Sequence, residues 1–226
     1  MATHLLTGAG SGIGAVLAER LLERGDELVL LARSTERAHD LRADLPAAAV
    51  LVADLADATA VEAVADQLPA SLDSVVHAAG VVDLGPVASL PTDAWQSQLA
   101  VNLLAPAVLT RVALPALRAA RGTVVFVNSG AGLVAHPQWS AYAASKFGLR
   151  ALADSLRAEE QEHGVRVTTV FPGRTATAMQ EKVHAQEGKA YDPSDWIDPG
   201  TVVDAILHVL DLPADATISD LTIRPR

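Results

Sequence analysis

Cysteine is absent from this 226-residue chain, so neither a disulfide framework nor a thiolate metal centre can stabilise it. No metal site is expected. The chain lacks positive charge as well: its formal net charge is −10 and its pI is near 5.0. Nucleic acid and anionic membrane surfaces need clustered cations, so both are poor partners, and an acidic carrier domain is only slightly better. The opening residues, Met1 to Thr7, show no basic segment followed by an apolar leader core. Apolar runs in the sequence fall short of a membrane span. No low-complexity block, internal repeat or Gly/Ser/Pro linker interrupts the chain. The lack of cysteine fits a reducing cytoplasm without requiring it, and the lack of any linker makes a single domain the economical expectation.

Half of the residues are apolar, ample for a core at this length. They fall into short apolar runs separated by longer amphipathic stretches. Strands are expected at His4–Leu6, Leu28–Ala32, 48–53, 74–78, Val124–Val127, 165–171 and 217–223. Ile13, Val16, Leu17 and Leu21 recur at helical spacing, and Gly25 stops that helix. Strands that are apolar throughout are buried on both faces, as in a parallel sheet covered by helices. The alternation predicts an α/β fold, a single-domain Rossmann-type doubly wound parallel sheet over residues 1–226. The stretch at about 175–199 is the least regular, because Gly188 and Pro193 break any long helix. It reads as a substrate lid above the strand ends.

Between the first strand and first helix lies Thr7-Gly8-Ala9-Gly10-Ser11-Gly12-Ile13-Gly14. Glycines there allow a tight turn and let backbone approach a pyrophosphate, which a helix N-terminus favours. Further along, Tyr142 and Lys146 stand four positions apart. On a helix four residues span about 400°, so both side chains share a face. A phenol with pKa about 10 is a poor base at neutrality, but a neighbouring ammonium favours the phenolate. A fall of three units would need about 4 kcal/mol of differential stabilisation.

The T-G-x-x-x-G-x-G spacing, the Tyr142-x-x-x-Lys146 pair and the serine thirteen residues before Tyr142 together resemble the short-chain dehydrogenase/reductase family, and the resemblance covers the whole chain. It implies strand order 3-2-1-4-5-6-7 and hydride transfer between NADP(H) and a small carbonyl or secondary alcohol. Tyr142 would be the acid or base, and Lys146 would lower its pKa and hold the nicotinamide ribose. Ser129 would orient the carbonyl oxygen, and Asn102 would support a water-linked proton relay. The resemblance assigns the cofactor to Gly8, Gly10, Ser11, Gly12, Ile13 and Gly14. Asp54 and Leu55 would meet the adenine edge, Ala79 and Gly80 the cofactor's flank, and Pro172, Gly173, Thr175 and Thr177 the carboxamide.

Several positions depart from the family pattern. Ala32 closes the second strand where NAD-binding relatives carry an acid, and Arg33 follows it. With no carboxylate to repel a 2′-phosphate, Arg33 can bind it through its paired donors and Ser34 can add a hydroxyl. His77 and Ala78 replace two amides, and His77 reads as a packed structural residue. Gly130 stands where many relatives have a second serine, and Thr175 replaces a valine. Relatives pair through the two long helices, here about 93–120 and 142–163, so a homodimer or homotetramer is implied. The competing readings are a non-catalytic NADP-sensing or scaffolding protein, disfavoured by the intact proton relay, and a lyase or epimerase, disfavoured by the short C-terminal part.

Overall fold

Seven strands form one parallel sheet in the order β3-β2-β1-β4-β5-β6-β7. The computed structural model describes residues 1–226. The strands are β1 (Thr3–Thr7), β2 (Glu27–Ala32), β3 (Ala49–Val52), β4 (Ser74–His77), β5 (Thr123–Val127), β6 (Arg166–Pro172) and β7 (Asp220–Ile223). The helices are α1 (Gly12–Glu23), α2 (Thr35–Asp44), α3 (Ala58–Glu62), α4 (Thr92–Leu99), α5 (Ala105–Ala120), α6 (Ser140–Glu159), α7 (Ala178–Glu187) and α8 (Pro199–Leu210).

Alternation along each strand sends neighbouring side chains to opposite faces. Leu6, Leu28, Leu30, Val76, Val125 and Val170 pack under Leu17 and Leu21 of α1, Leu41 of α2 and Ile206 of α8. Leu5, Val29, Leu31, Val75, Val124 and Phe126 pack on the other face, under Leu109 and Leu117 of α5 and Leu149 of α6. Burying each such side chain stabilises by about 1.5–3 kcal/mol, which is why the expected strands are apolar without interruption.

Thr92–Ala120 is one continuous helical stretch in which a π turn, Ala100–Leu104, joins α4 to α5. It is long and apolar enough to span a membrane by composition, a length the run-by-run reading of the sequence missed, because scattered polar residues break the run. Its apolar side is spent on the sheet, through buried Val108, Leu109, Ala113 and Leu117.

The segment 175–199 differs from the irregular loop expected. Residues 178–187 form the helix α7, capped at its start by Thr177, whose oxygen accepts from Gln180 N, and ended by Gly188 at φ +68°. Gly188 therefore terminates a helix rather than preventing one. Only 189–198 beyond it are irregular, apart from a short 3₁₀ turn at Pro193–Asp195.

Candidate active site

All seven strands point the same way, so the loops after β1, β4, β5 and β6 open at one end of the sheet. There they line a cleft of about 1460 Å³. At one end sits the glycine turn. Gly8 and Gly12 hold φ of +79° and +55°, a left-handed conformation that other residues resist. A Cβ on Gly8 would lie 2.7 Å from Ala79 N, so β1 and β4 could not approach as they do. Gly14 does not line the cleft; its bare Cα lets α1 close against the Gly8 carbonyl.

Beyond the end of β2, Arg33 is exposed, lines the cleft and makes no ion pair. Ser34 does not line it. Its oxygen caps α2 by accepting from Arg37 N at 3.2 Å. Arg37, unnoticed in the sequence, stands beside Arg33 instead. Its Nη2 donates to Gly10 O at 2.6 Å, tying α2 to the glycine turn. Asp54 and Leu55 line the same end, with Asp54 accepting from Ala56 N at 2.9 Å in a local turn.

At the other end, Ser129, Tyr142 and Lys146 line the cleft together. Two hydrogen bonds from a residue outside the expected set bring them together. Asn128 directly follows β5 and donates through Nδ2 to Lys146 O at 3.0 Å, while its Oδ1 accepts from Ser129 N at 2.8 Å. Asn102 does not line the cleft. It is fully buried, clamps the backbone of Val81 through both ends of its amide, and donates to Ser145 Oγ at 3.0 Å. Ser145 in turn donates to Tyr142 O at 2.8 Å. Asn102 lies in the π turn, a distortion common beside functional sites. Its side chain braces the loop after β4 against α6.

Burial governs the charges here. Desolvation pushes the Tyr142 phenol above its ordinary value, and the facing Ser129 hydroxyl offsets this only in part. That is the reverse of the fall expected from the neighbouring ammonium. The reason is geometric: Lys146 Nζ donates to Val127 O at 3.1 Å and lies 5.8 Å from the phenol ring centroid. Burial also lowers Lys146 to about 8. His77 is pushed down to about 3 by burial, so it is neutral; it stacks on Phe126 and hydrogen-bonds Thr110 at 2.8 Å, the structural role expected.

From Pro172, the last residue of β6, the chain follows the cleft wall through Gly173, Thr175 and Thr177, with Thr175 Oγ1 donating to Gly173 O and Thr177 Oγ1 to Thr175 O. A Cβ on Gly12 would come 2.9 Å from Thr177 Cγ2, so this wall reaches over to the glycine turn. Arg174 was not singled out in the sequence. Its guanidinium lies 5.9 Å from the Trp139 ring and 5.4 Å from the Trp196 ring, and Nη2 donates to Glu187 at 2.7 Å. It links the wall of the pocket to the end of α7.

Comparison with known proteins agrees with this geometry. Residues 2–188 match the family model described as short chain dehydrogenase. An uncharacterized oxidoreductase of Staphylococcus aureus is 29% identical over 98% of this chain and 96% of its own. A metagenomic short-chain oxidoreductase solved with NADP superposes with TM-score 0.82 at 30% identity, over 100% of this chain and 97% of that one. An alcohol dehydrogenase from Thermococcus sibiricus, complexed with 5-hydroxy-NADP, gives 0.86 at 25% identity, over 100% and 97%.

The lowered Lys146 value has a consequence for stability. Between about 8 and the ordinary 10.5, the folded chain binds fewer protons than the unfolded one, so this group makes stability rise with pH across that window. Below pH 8 the charged, buried amine costs the fold up to about 3 kcal/mol. Lys146→Met is therefore expected to raise the unfolding free energy of the nucleotide-free protein at pH 7, with the gain shrinking as pH approaches 10. Urea titrations at several pH values measure this. A variant less stable than the parent at pH 7 would mean that the bond to Val127 outweighs desolvation.

Proposed function

The chain belongs to the short chain dehydrogenase family of oxidoreductases, and from that premise we propose that it reversibly reduces a small carbonyl compound with NADPH. The observation that carries this reading is the meeting of Ser129, Tyr142 and Lys146 at one end of a cleft whose other end is the glycine turn. A sensor or scaffold would have no use for that acid–base group.

The residues present fit the nucleotide. Side chains at Gly8, Gly10 or Gly12 would fill the cradle or collide across it. Beside the cradle, Arg33 and Arg37 flank the position for an adenosine 2′-phosphate, and β2 closes on Ala32 rather than an acid. These features, and the neighbours solved with NADP, support NADP(H) over NAD(H). Bound there, the nicotinamide supplies the hydride. Ser129 Oγ holds the carbonyl oxygen and steadies the charge that develops on it. Tyr142 is kept protonated by burial, the state a general acid needs for reduction, and donates its phenolic proton to that oxygen. Lys146 supplies positive charge beneath the phenol, which favours the phenolate left behind. Asn102, away from the cleft, and Asn128, at its wall, hold these groups in register. The segment from Thr177 through α7 to Trp196 forms the lid.

In the assembly we envisage, two copies pair through Thr92–Ala120 and α6, giving a dimer or tetramer. Leu99, Leu104 and Phe147 support this, since they remain 38%, 49% and 42% exposed on those helices. The lack of cysteine suits a reducing cytoplasm.

Tyr142→Phe deletes only the phenolic oxygen, so fold and NADPH binding should persist. Turnover should fall roughly a hundredfold or more on aldehydes or ketones followed by NADPH absorbance. Parental turnover by a variant that binds NADPH normally would remove Tyr142 from the mechanism. For the cofactor, Arg33→Ala and Arg37→Ala should each weaken NADPH by about 1.5–3 kcal/mol with little effect on NADH. Equal losses for both nucleotides in fluorescence titrations would make the two arginines structural. For assembly, Phe147→Glu should shift the light-scattering mass to that of a monomer, and a parent protein already monomeric at micromolar concentration would end the pairing model.

A further inference from the structure

Four arginines line the cleft: Arg33, Arg37, Arg174 and Arg224. Two of them already have an acidic partner. Arg37 lies 3.2 Å from Asp40, and Arg174 lies 2.7 Å from Glu187. Arg33 and Arg224 make no ion pair and no hydrogen bond, in a chain with ten more acidic than basic side chains. Arg33 stands at the adenosine end, where a phosphate would meet it. Arg224 stands at the reaction end, where the nucleotide reading gives it nothing to do.

The placement of Arg224 follows from the sheet. β7 runs beside β6 with Ile223 opposite Pro172, and Gly173 N donates to Ile223 O at 2.7 Å. The chain therefore leaves β7 at the same end of the sheet as Ser129 leaves β5. Pro225 fixes its course: a Cβ on Gly173 would lie 2.8 Å from Pro225 Cδ, so this segment is packed against the pocket wall. Arg224 then reaches towards Gly130, where an added Cβ would lie 4.0 Å from its Nη1. Gly130 follows Ser129 directly, and its missing side chain leaves the space beside the guanidinium open.

The remaining acids do not compete for Arg224. Asp40, Asp54 and Glu187 are the acidic residues lining the cleft. Asp40 and Asp54 belong to the adenosine end, and Glu187 is held by Arg174 and by Lys189 at 3.1 Å. Val82, Ala131 and Trp139 give the same cleft an apolar wall, while Arg224 itself is exposed and free to meet a ligand.

We propose that the substrate is a carbonyl compound bearing a carboxylate, and that Arg224 receives that carboxylate while Ser129 and Tyr142 hold the carbonyl. The inference rests on the reductase reading above. The planar guanidinium offers two parallel donors to a carboxylate, a match that a lysine cannot reproduce.

The test uses a matched pair of aldehydes, 4-formylbenzoate and its methyl ester, with NADPH absorbance as readout. The parent should favour the carboxylate in kcat/KM. Arg224→Ala should lower the carboxylate-to-ester ratio by about tenfold or more, mainly through KM, and Arg224→Lys should restore part of it. A second readout needs no turnover: benzoate titrated calorimetrically into the NADP⁺-loaded protein should bind more weakly to Arg224→Ala, whereas benzamide should not distinguish the two proteins. An unchanged ratio, equal losses on both aldehydes, or a parallel loss of NADPH affinity would overturn the proposal, the last because Arg224 would then serve the cofactor. A parent that reduces the ester without preferring the carboxylate refutes this inference and leaves the reductase reading standing. A parent that binds NADPH but reduces neither aldehyde counts against the reductase reading, and the benzoate titration then decides the role of Arg224 by itself.

Discussion

The side chain of Asn128 spans the gap between β5 and α6, and the reaction end of the cleft depends on that bridge. One end of the amide accepts from Ser129 N and the other donates to Lys146 O. A strand end and a helix interior are thereby fixed to each other by two bonds from one short side chain. Ser129 comes from the loop after the strand, and Tyr142 and Lys146 lie one turn apart on the helix. Without the bridge, β5 and α6 would be joined here by the Lys146–Val127 bond and by apolar packing, which is less directional than hydrogen bonding. Asn102 performs the same service on the opposite side of α6. Through Ser145 it joins the loop after β4 to the helical turn that carries Tyr142. Two buried amides thus fix the positions of Ser129, Tyr142 and Lys146 along the cleft.

Burial is the second constraint, and it acts differently on each group. His77 and Lys146 are both lowered by desolvation alone. His77 answers by staying neutral, with its ring stacked and one nitrogen hydrogen-bonded, so it adds to stability at little electrostatic cost. Lys146 keeps enough basicity to be charged at neutral pH and is partnered by a single carbonyl. A buried ammonium with one neutral partner is an unfavourable element of the fold, tolerated where function needs a cation. The same dryness raises Tyr142, so the phenol starts as an acid. A phenolate at Tyr142 is disfavoured by the same desolvation.

Much of the fold was legible because parallel strands buried on both faces carry an unbroken apolar signature. Each of the seven expected strands is present to within a few residues at its ends. The glycine turn and Ser129, Tyr142 and Lys146 were equally plain, since chemistry fixes their spacing along the chain. Asn128, Ser145, Arg37 and Arg224 were not. Their roles arise from contacts between segments distant in sequence, and no local pattern encodes such contacts. The helix α7 was missed for another reason. Its polar and apolar residues follow no clean helical period, and its breakers, Gly188 and Pro193, were read as lying within the helix when they lie past its end. The signal that marks it is Thr177-Ala178-Met179-Gln180, a capping pattern of threonine followed three residues later by glutamine.

Charge placement ties these constraints together. A chain with a net charge of −10 repels anions at long range, yet the family's cofactors are polyanions. The cleft reconciles the two locally. Glycine-turn amides and the start of α1 offer partial positive charge at one end of the cleft, where Arg33 adds an unpaired charge and Arg37 one shared with Asp40, and Lys146 adds a charge at the other end. The cleft's acids are largely occupied: Asp40 by Arg37, Glu187 by Arg174 and Lys189, and Asp54 by the turn that follows it. What remains at contact distance is a positive channel in a negative protein. Over a Debye length of about 8 Å the distant surface acids are screened, while cations inside an apolar-walled cleft are screened much less. Nucleotide affinity therefore depends on the few residues lining the channel rather than on the overall charge.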